Sequence, residues 1–226
     1  MSTEAGTAVQ LSERVAQQNE TSVGKAVPVM PLQRVRVFIA TSLDGFIADR
    51  DNSVEWLHTL PPPPSDAVDP SHNDAFNANI GAILMGRKCY DTVMAFGLKK
   101  WPYAYPTLVA SHRPLQAQAD ETANVARTEG PIAAMLQQAK KVAVVSGKDV
   151  YVDGGSLIRQ ALDEGLVDEI VVSIVPIILG DGVPLFAGVL RQRKLTLVKN
   201  ETLYAGMVQL TYTLQPEVNK PPLTTS

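Results

Sequence analysis

Val150 Tyr151 Val152 Asp153 Gly154 Gly155 Ser156 Leu157 Ile158 Arg159 Gln160 Ala161 Leu162 is the stretch on which the reading of this chain turns. A short β-branched and aromatic run meets a Gly-Gly pair, and the apolar residues beyond it (Leu157, Ile158, Ala161, Leu162) return at helical spacing. The order is strand, tight turn, helix. Lacking Cβ atoms, Gly154 and Gly155 let a ligand come close to the backbone, and Ser156 with its neighbours brings unpaired N–H groups to a helix N-terminus. Such a terminus favours anions, phosphate above all. A plain structural turn is the competing reading of a Gly-Gly pair. After Gly165 the segment 166–176 is long, apolar and β-branched, as a strand buried on both faces should be. A strand, helix, strand unit of an α/β sheet is therefore predicted.

Composition narrows the classes of function. The chain has 226 residues, 45% of them hydrophobic and 19% charged, which suits one globular domain with tails. A formal net charge of −3 supplies no broad positive field, so nucleic acid and anionic membranes are not expected partners. Cys89 is the single cysteine, which excludes an internal disulfide and a Cys-rich zinc site. His58, His72 and His112 lie far apart in sequence, and no metal is predicted. No apolar run approaches the roughly 18 residues of a membrane-spanning helix. Glu4 and Glu13 interrupt any signal-peptide layout, so the cytoplasm is the expected compartment.

Residues 1–33 are rich in Ser, Thr, Gln, Glu and Ala and read as a tail, with either disorder or a short helix over Val9 to Gln18. Arg34 to Ala40 is the first strand, and Asp44-Gly45 marks a sharp turn just after it. Residues 49–73 read as a loop with Trp56 isolated in it and the stiff run Pro61 to Pro64. Asp74 to Ile80 suggests a short helix before a compact strand, Ala82 to Met85. Gly86, Arg87 and Lys88 then open another helix, with cations where the helix dipole disfavours them unless an anion binds. Pro106 to Ala110 is a strand ended by the polar cluster Ser111, His112, Arg113. A short strand at Asn124 to Arg127 precedes a helix from Pro131 to Lys141, after which 142–146 extends the helix or makes a strand. Lys194 to Lys199 and Met207 to Leu214 alternate well and should pair antiparallel, before a tail over 216–226.

Ser42 Leu43 Asp44 Gly45, Ile83 Leu84 Met85 Gly86 Arg87 Lys88, Val152 Asp153 Gly154 Gly155 and Gly180 Asp181 Gly182 Val183 Pro184 Leu185 Phe186 stand in one order and spacing. In that set the chain resembles the dihydrofolate reductase-like superfamily. Within it, the chain looks most like the branch holding the C-terminal reductase domain of bacterial riboflavin biosynthesis proteins and stand-alone reductase-like proteins. The likeness covers residues 34–215. It implies an α/β fold, a mixed, mostly parallel sheet of about eight strands flanked by helices, with NADPH across the strand ends.

The resemblance also implies roles. Gly154, Gly155, Ser156 and Leu157 would receive the pyrophosphate, Gly86, Arg87 and Lys88 would form a second phosphate-contacting helix start, and Ser111, His112 and Arg113 would grip the 2′-phosphate. Ala40 would hold the nicotinamide carboxamide, with Ile47 and Ala48 along the ring. Cys89 stands where dihydrofolate reductase has a threonine facing the nicotinamide. Asp44 and Asp74 are the candidate proton sources, with turn and N-cap aspartates as their plain readings. Phe38, Trp56, Phe76 and Ser173 would line the substrate pocket, each being readable as ordinary packing too. The implied activity is NADPH-dependent hydride transfer to a small planar heterocycle, pterin- or pyrimidine-like, or a related carbonyl or imine. Two alternatives stand beside it: the reductase acting on the ribosylaminouracil phosphate of riboflavin biosynthesis, and a non-catalytic nucleotide-binding protein. A homodimer is expected.

Overall fold

The computed structural model describes residues 33–61, 74–115 and 124–214. The stretches expected as a tail helix over Val9 to Gln18, as the later part of the 49–73 loop and as the C-terminal tail lie outside the described residues. Ten strands form. They are β1 Val35–Ser42, β2 Phe46–Ala48, β3 Ile80–Gly86, β4 Thr107–Ala110, β5 Val125–Thr128, β6 Asp149–Asp153, β7 Glu169–Val175, β8 Val183–Pro184, β9 Leu195–Thr202 and β10 Val208–Leu214. The helices are α1 Asp74–Asn77, α2 Arg87–Ala95, α3 Ile132–Ala143 and α4 Gly155–Asp163.

Eight strands make one sheet in the order β5-β4-β3-β6-β1-β7-β10-β9, and β2 pairs with β8 in a separate ribbon. β5 through β7 run parallel, while β10 and β9 close the sheet antiparallel. The architecture is the mixed, mostly parallel sheet implied by the resemblance. Strand bounds depart from the sequence reading in explicable ways. Leu166 to Asp168 is a connection, because α4 ends in a Schellman turn: Gly165 takes φ 68°, its N–H reaches Leu162, and Leu166 donates to Ala161. The helix at Asp74 stops at Asn77, since Ile80 is already drawn into β3 beside Asp149. Residues 142–146 extend the preceding helix and tighten into a 3₁₀ turn at Val144–Ser146 that ends on left-handed Gly147.

The two faces of the sheet differ in content. Val35, Val37, Ala82, Leu84, Val150, Val152, Ile170 and Val172 point to the side covered by α3 and α4. Leu157, Ile158, Ala161 and Leu162, four apolar residues on one stripe of α4, complete that core, each large side chain contributing about 1.5–3 kcal/mol through burial. Arg36, Phe38, Ala40 and Ser42 alternate to the opposite face, in register with Glu169, Val171, Ser173 and Val175 of β7. At the start of the strands Arg36 Nε donates to Glu169 Oε1 at 2.7 Å, Asp149 Oδ2 lies 3.7 Å from Arg36 Nη1, and the guanidinium covers the Phe76 ring at 4.6 Å.

Candidate active site

β3 and β6 are parallel neighbours with Met85 opposite Asp153, so the helices that follow them begin side by side. Gly86 caps α2 and Gly154 caps α4, and neither terminus has a side-chain cap bond. Gly154 takes φ 104°, and a Cβ there would stand 3.0 Å from Cys89 Sγ and 3.5 Å from Gly86 Cα. A Cβ on Gly155 would lie 2.7 Å from Ile47 Cδ1 and 3.1 Å from Arg159 Nη1. The glycines thus allow two helix N-termini and β2 to converge on one spot, with orphan N–H groups and two positive dipole ends together. Ser156 is exposed in the first turn of α4, whereas the Leu157 side chain is buried in the core and leaves only its backbone for a ligand.

The cations around this cradle have definite partners. Arg87 Nε donates to Asp91 at 2.7 Å, and its Nη1 reaches Ser111 Oγ at 3.1 Å and the Pro114 carbonyl at 3.0 Å. Arg87 therefore shapes the loop after β4. Lys88 Nζ donates to Asn52 Oδ1 at 3.1 Å, tying α2 to the turn where Asn52 holds φ 62°. His112 and Arg113 are exposed beside them. Arg127, which the sequence did not single out, sits opposite Val109 and reaches the Ser111 carbonyl at 3.4 Å and Glu129 at 3.0 Å.

Asp44 lies at the end of β1, where Ser42 Oγ donates to its Oδ1 at 2.6 Å and the Leu179 and Gly180 N–H groups donate at 3.1 and 2.7 Å. The Ser42 bond, followed by the backbone bonds, holds its carboxyl below the usual value despite some desolvation. An exposed carboxylate braced by three donors in this way fastens the 43–48 loop to the 179–185 loop and is a poor proton donor. The two loops touch closely: a Cβ on Gly182, at φ 153°, would fall 2.2 Å from the Ala48 carbonyl. Asp74 opens α1 and is exposed.

A different carboxylate occupies the centre. Asp153, last residue of β6, faces the same side as Phe38, with the Gly154 N–H, the Tyr151 hydroxyl and the Cys89 thiol beside its carboxyl. Burial pushes that carboxyl up to about 6 against the lowering effect of those neighbouring donors. Burial first, and the Asp153 charge second, also raise Cys89, Tyr103 and Tyr105, the last to about 12. The Tyr151 hydroxyl donates its one proton to the Phe38 carbonyl at 2.9 Å. Phe76 lies against Phe38 at 5.0 Å and edge-on to Tyr151 at 5.4 Å, while Trp101, Tyr103 and Tyr105 stack in sequence at 5.6 and 6.1 Å. Sequence reasoning gives Asp153 no role, although a carboxylate directly before the Gly-Gly pair, where a strand end meets a ligand turn, is the signal that marks it.

Ala40 packs with Trp56, Val175 and Met207, next to Ser173, whose hydroxyl accepts from Gln209 Nε2 at 2.9 Å. Trp56 is buried there, and among the described residues its Nε1 has no hydrogen-bond partner. An orphan buried donor of this type suits a ligand carbonyl. Cys89, Phe38, Phe76, Gly86, Gly154 and Ile47 are thus brought together around Asp153 and the cradle, whereas Asp74 stays at the surface. Among the described residues no three His, Cys, Asp or Glu side chains converge as a metal site, and no helix is long and apolar enough to cross a membrane.

Known proteins resemble this chain in sequence and fold. The chain is 30% identical over 190 residues to the uncharacterized protein YyaP of Bacillus subtilis, covering 80% of this chain and 94% of that protein. A putative riboflavin biosynthesis protein from Shewanella sp. superposes with TM-score 0.71 at 32% identity, over 81% of this chain and 99% of the other. The Thermotoga maritima diaminohydroxyphosphoribosylaminopyrimidine deaminase/5-amino-6-(5-phosphoribosylamino)uracil reductase shares the fold at TM-score 0.56 and 16% identity, over 81% of this chain and 57% of its own. The family model for the RibD C-terminal domain matches residues 33–209. With two uncapped helix starts on neighbouring parallel strands and that match spanning the whole sheet up to β10, the chain belongs to the RibD C-terminal domain family of reductase-like proteins.

Proposed function

We propose that the protein is an NADPH-dependent reductase that delivers a hydride to a small planar heterocycle, pterin- or pyrimidine-like, or to a related carbonyl or imine. The observation that carries this reading is the pair of uncapped helix N-termini at Gly86 and Gly154, converging beside the half-buried acid Asp153. The cradle fits a pyrophosphate: the glycines leave the backbone open, and the first-turn N–H groups of α2 and α4 are the donors an anion needs. Ser111, His112, Arg113 and Arg127 would meet a 2′-phosphate, and the backbone of Ala40 with the side chain of Ile47 would hold the nicotinamide end. The cofactor, when bound, supplies the hydride. The chain contributes orientation, exclusion of water by the docked 43–48 and 179–185 loops, and a proton at Asp153.

Proton supply is assigned to Asp153 because an acid that titrates near 6 is partly protonated near neutral pH. Tyr151, whose hydroxyl proton goes to the Phe38 carbonyl, leaves its oxygen to accept from the protonated Asp153 carboxyl and would fix that carboxyl's orientation. Asp44 keeps the loops together. Titrating NADPH and NADH against Trp56 and Trp101 fluorescence tests the cofactor, with NADPH expected to bind at least about tenfold tighter because its 2′-phosphate adds charge-assisted bonds. Replacing Arg113 by Ala should narrow that difference, and equal affinities in the wild type would refute the assignment. Oxidation of NADPH should then appear with some member of a panel of quinones, small pterins and the ribosylaminouracil phosphate, with dihydrofolate a poor acceptor. Tight NADPH binding with no turnover across the panel would favour the non-catalytic alternative.

The same reading includes a homodimer in the cytoplasm. β9 is an edge strand that exposes Leu195, Leu197 and Val198, a form that soluble proteins ordinarily cover. Lys199 and Glu201 already pair at 2.7 Å, and an antiparallel copy about a two-fold at Asn200 would set each Lys199 opposite the other strand's Glu201.

A further inference from the structure

The charge balance around Asp153 extends the reductase reading, and rests on it, to the chemical class of the acceptor. On the Phe38 face, the groups at the end of β6 are one carboxylate, three phenols at Tyr103, Tyr105 and Tyr151, the Cys89 thiol and the rings of Phe38 and Phe76. Three cations on the elements around this cluster are engaged elsewhere. Arg36 is bound by Glu169 and Asp149 and covers Phe76, Lys88 is held by Asn52, and Arg87 by Asp91 and the loop carbonyls.

We propose that this pocket takes a flat acceptor without any anionic group, uncharged or cationic, and rejects phosphorylated rings. The reason is electrostatic and geometric together. Aromatic faces attract flat rings and cations, and a half-buried carboxylate adds to that attraction. A phosphate on the acceptor would need Arg, Lys or free N–H donors at its own end of the pocket, and would meet the Asp153 charge instead. Asp153 can accept from the ligand and the Tyr103 hydroxyl can donate to it, the phenol protons of Tyr105 and Tyr151 going to Asn77 and the Phe38 carbonyl, which suits a ring bearing an N–H and a carbonyl.

Matched probes test this. Binding of riboflavin and riboflavin 5′-phosphate, and of N-methylquinolinium and quinoline carboxylate, is measured by calorimetry with and without NADP. Riboflavin and the quinolinium are expected to bind at least about tenfold tighter than their anionic counterparts, the scale of one close unscreened charge contact. Asp153→Asn should cut the preference for the quinolinium to about threefold or less, and Tyr105→Lys should strengthen binding of riboflavin 5′-phosphate about fivefold or more. Melting curves confirm that each variant is folded, and Tyr103→Lys replaces Tyr105→Lys if the latter is not. Equal or tighter binding of the anionic probes by the wild type, a charge preference untouched by Asp153→Asn, or no binding of any probe would each overturn the proposal. Because the probes are also measured without NADP, failure of cofactor binding alone counts against the reductase reading and leaves this inference standing.

Discussion

Replacing Asp153 by Asn should make the protein more stable at pH 8 and less able to turn over. Burial raises the Asp153 carboxyl from the model-peptide value of 3.8 to about 6 in the folded state. Because the folded state binds the proton more tightly than the unfolded chain, this carboxyl costs nothing at low pH. Its cost grows as pH rises through the window from 3.8 to about 6 and is complete above it. A shift of about two units corresponds to a penalty of roughly 3 kcal/mol at pH 8, an upper value for a group that keeps some contact with solvent. Asn retains an acceptor for the Gly154 N–H and carries no charge. Urea unfolding of both proteins at pH 4 and pH 8 reads the effect directly. The variant should gain about 1–3 kcal/mol over the wild type on moving from pH 4 to pH 8, all other titrating groups cancelling in the comparison. If the two stabilities instead run parallel across that range, Asp153 has no raised pKa and its assignment as the proton source falls with it.

Other expectations concern the cradle, the ionic pair, turnover and assembly. Gly86→Ala adds a Cβ whose nearest atom, the Asp153 carbonyl, is 3.7 Å away at an ordinary φ of −69°; melting should change by under about 1 kcal/mol while NADPH affinity drops about tenfold or more, and an unchanged affinity would empty the cradle of its role. Glu169→Gln removes the main partner of buried Arg36 and should destabilise by about 3 kcal/mol in urea unfolding, the low end for a broken buried pair because Asp149 remains 3.7 Å away. Turnover with any accepted substrate should fall as pH rises through about 6, the value of the Asp153 acid, and a flat profile from pH 5 to 8 would count against that acid. Light scattering should give about twice 24.4 kDa, and Leu197→Lys on the β9 edge should return the mass to that of one chain; a wild-type monomer would refute the assembly.

Local pattern carried most of the fold. The α4 stripe, the β-branched run of β7 and the alternation of β10 are periodic signals within single elements, and each formed where its period placed it. Boundaries slipped where a neighbour decided them: Ile80 joined β3 because Asp149 offered a partner, a contact across 69 positions that no local window contains. The β2–β8 ribbon was invisible for the same reason, two and three residues being too few to show a period. At the site, the glycine turns were legible because backbone conformation is written in residue type. The partners of charged groups were not. Asp44 and Arg87 both stood at suggestive positions, yet which hydrogen bonds engage them depends on loops distant in sequence, and Asp153 acquired its character from burial among residues of several elements.

The place of β1 at the centre of the sheet has a consequence for how the chain reaches this structure. Its neighbours are β6 and β7, so Val35 must find Val150 and Arg36 must find Glu169, more than a hundred residues downstream. Loop closure over such distances must precede the contacts that reward it, which places the protein among slow folders of high contact order. On the ribosome β1 emerges first and remains without its sheet partners until α4 and β7 have been made, its Val35, Val37 and Ile39 stripe open to other chains. Refolding yield should therefore depend on protein concentration, and the step that ends this exposure is the arrival of the same Val150–Leu162 segment that builds the nucleotide cradle.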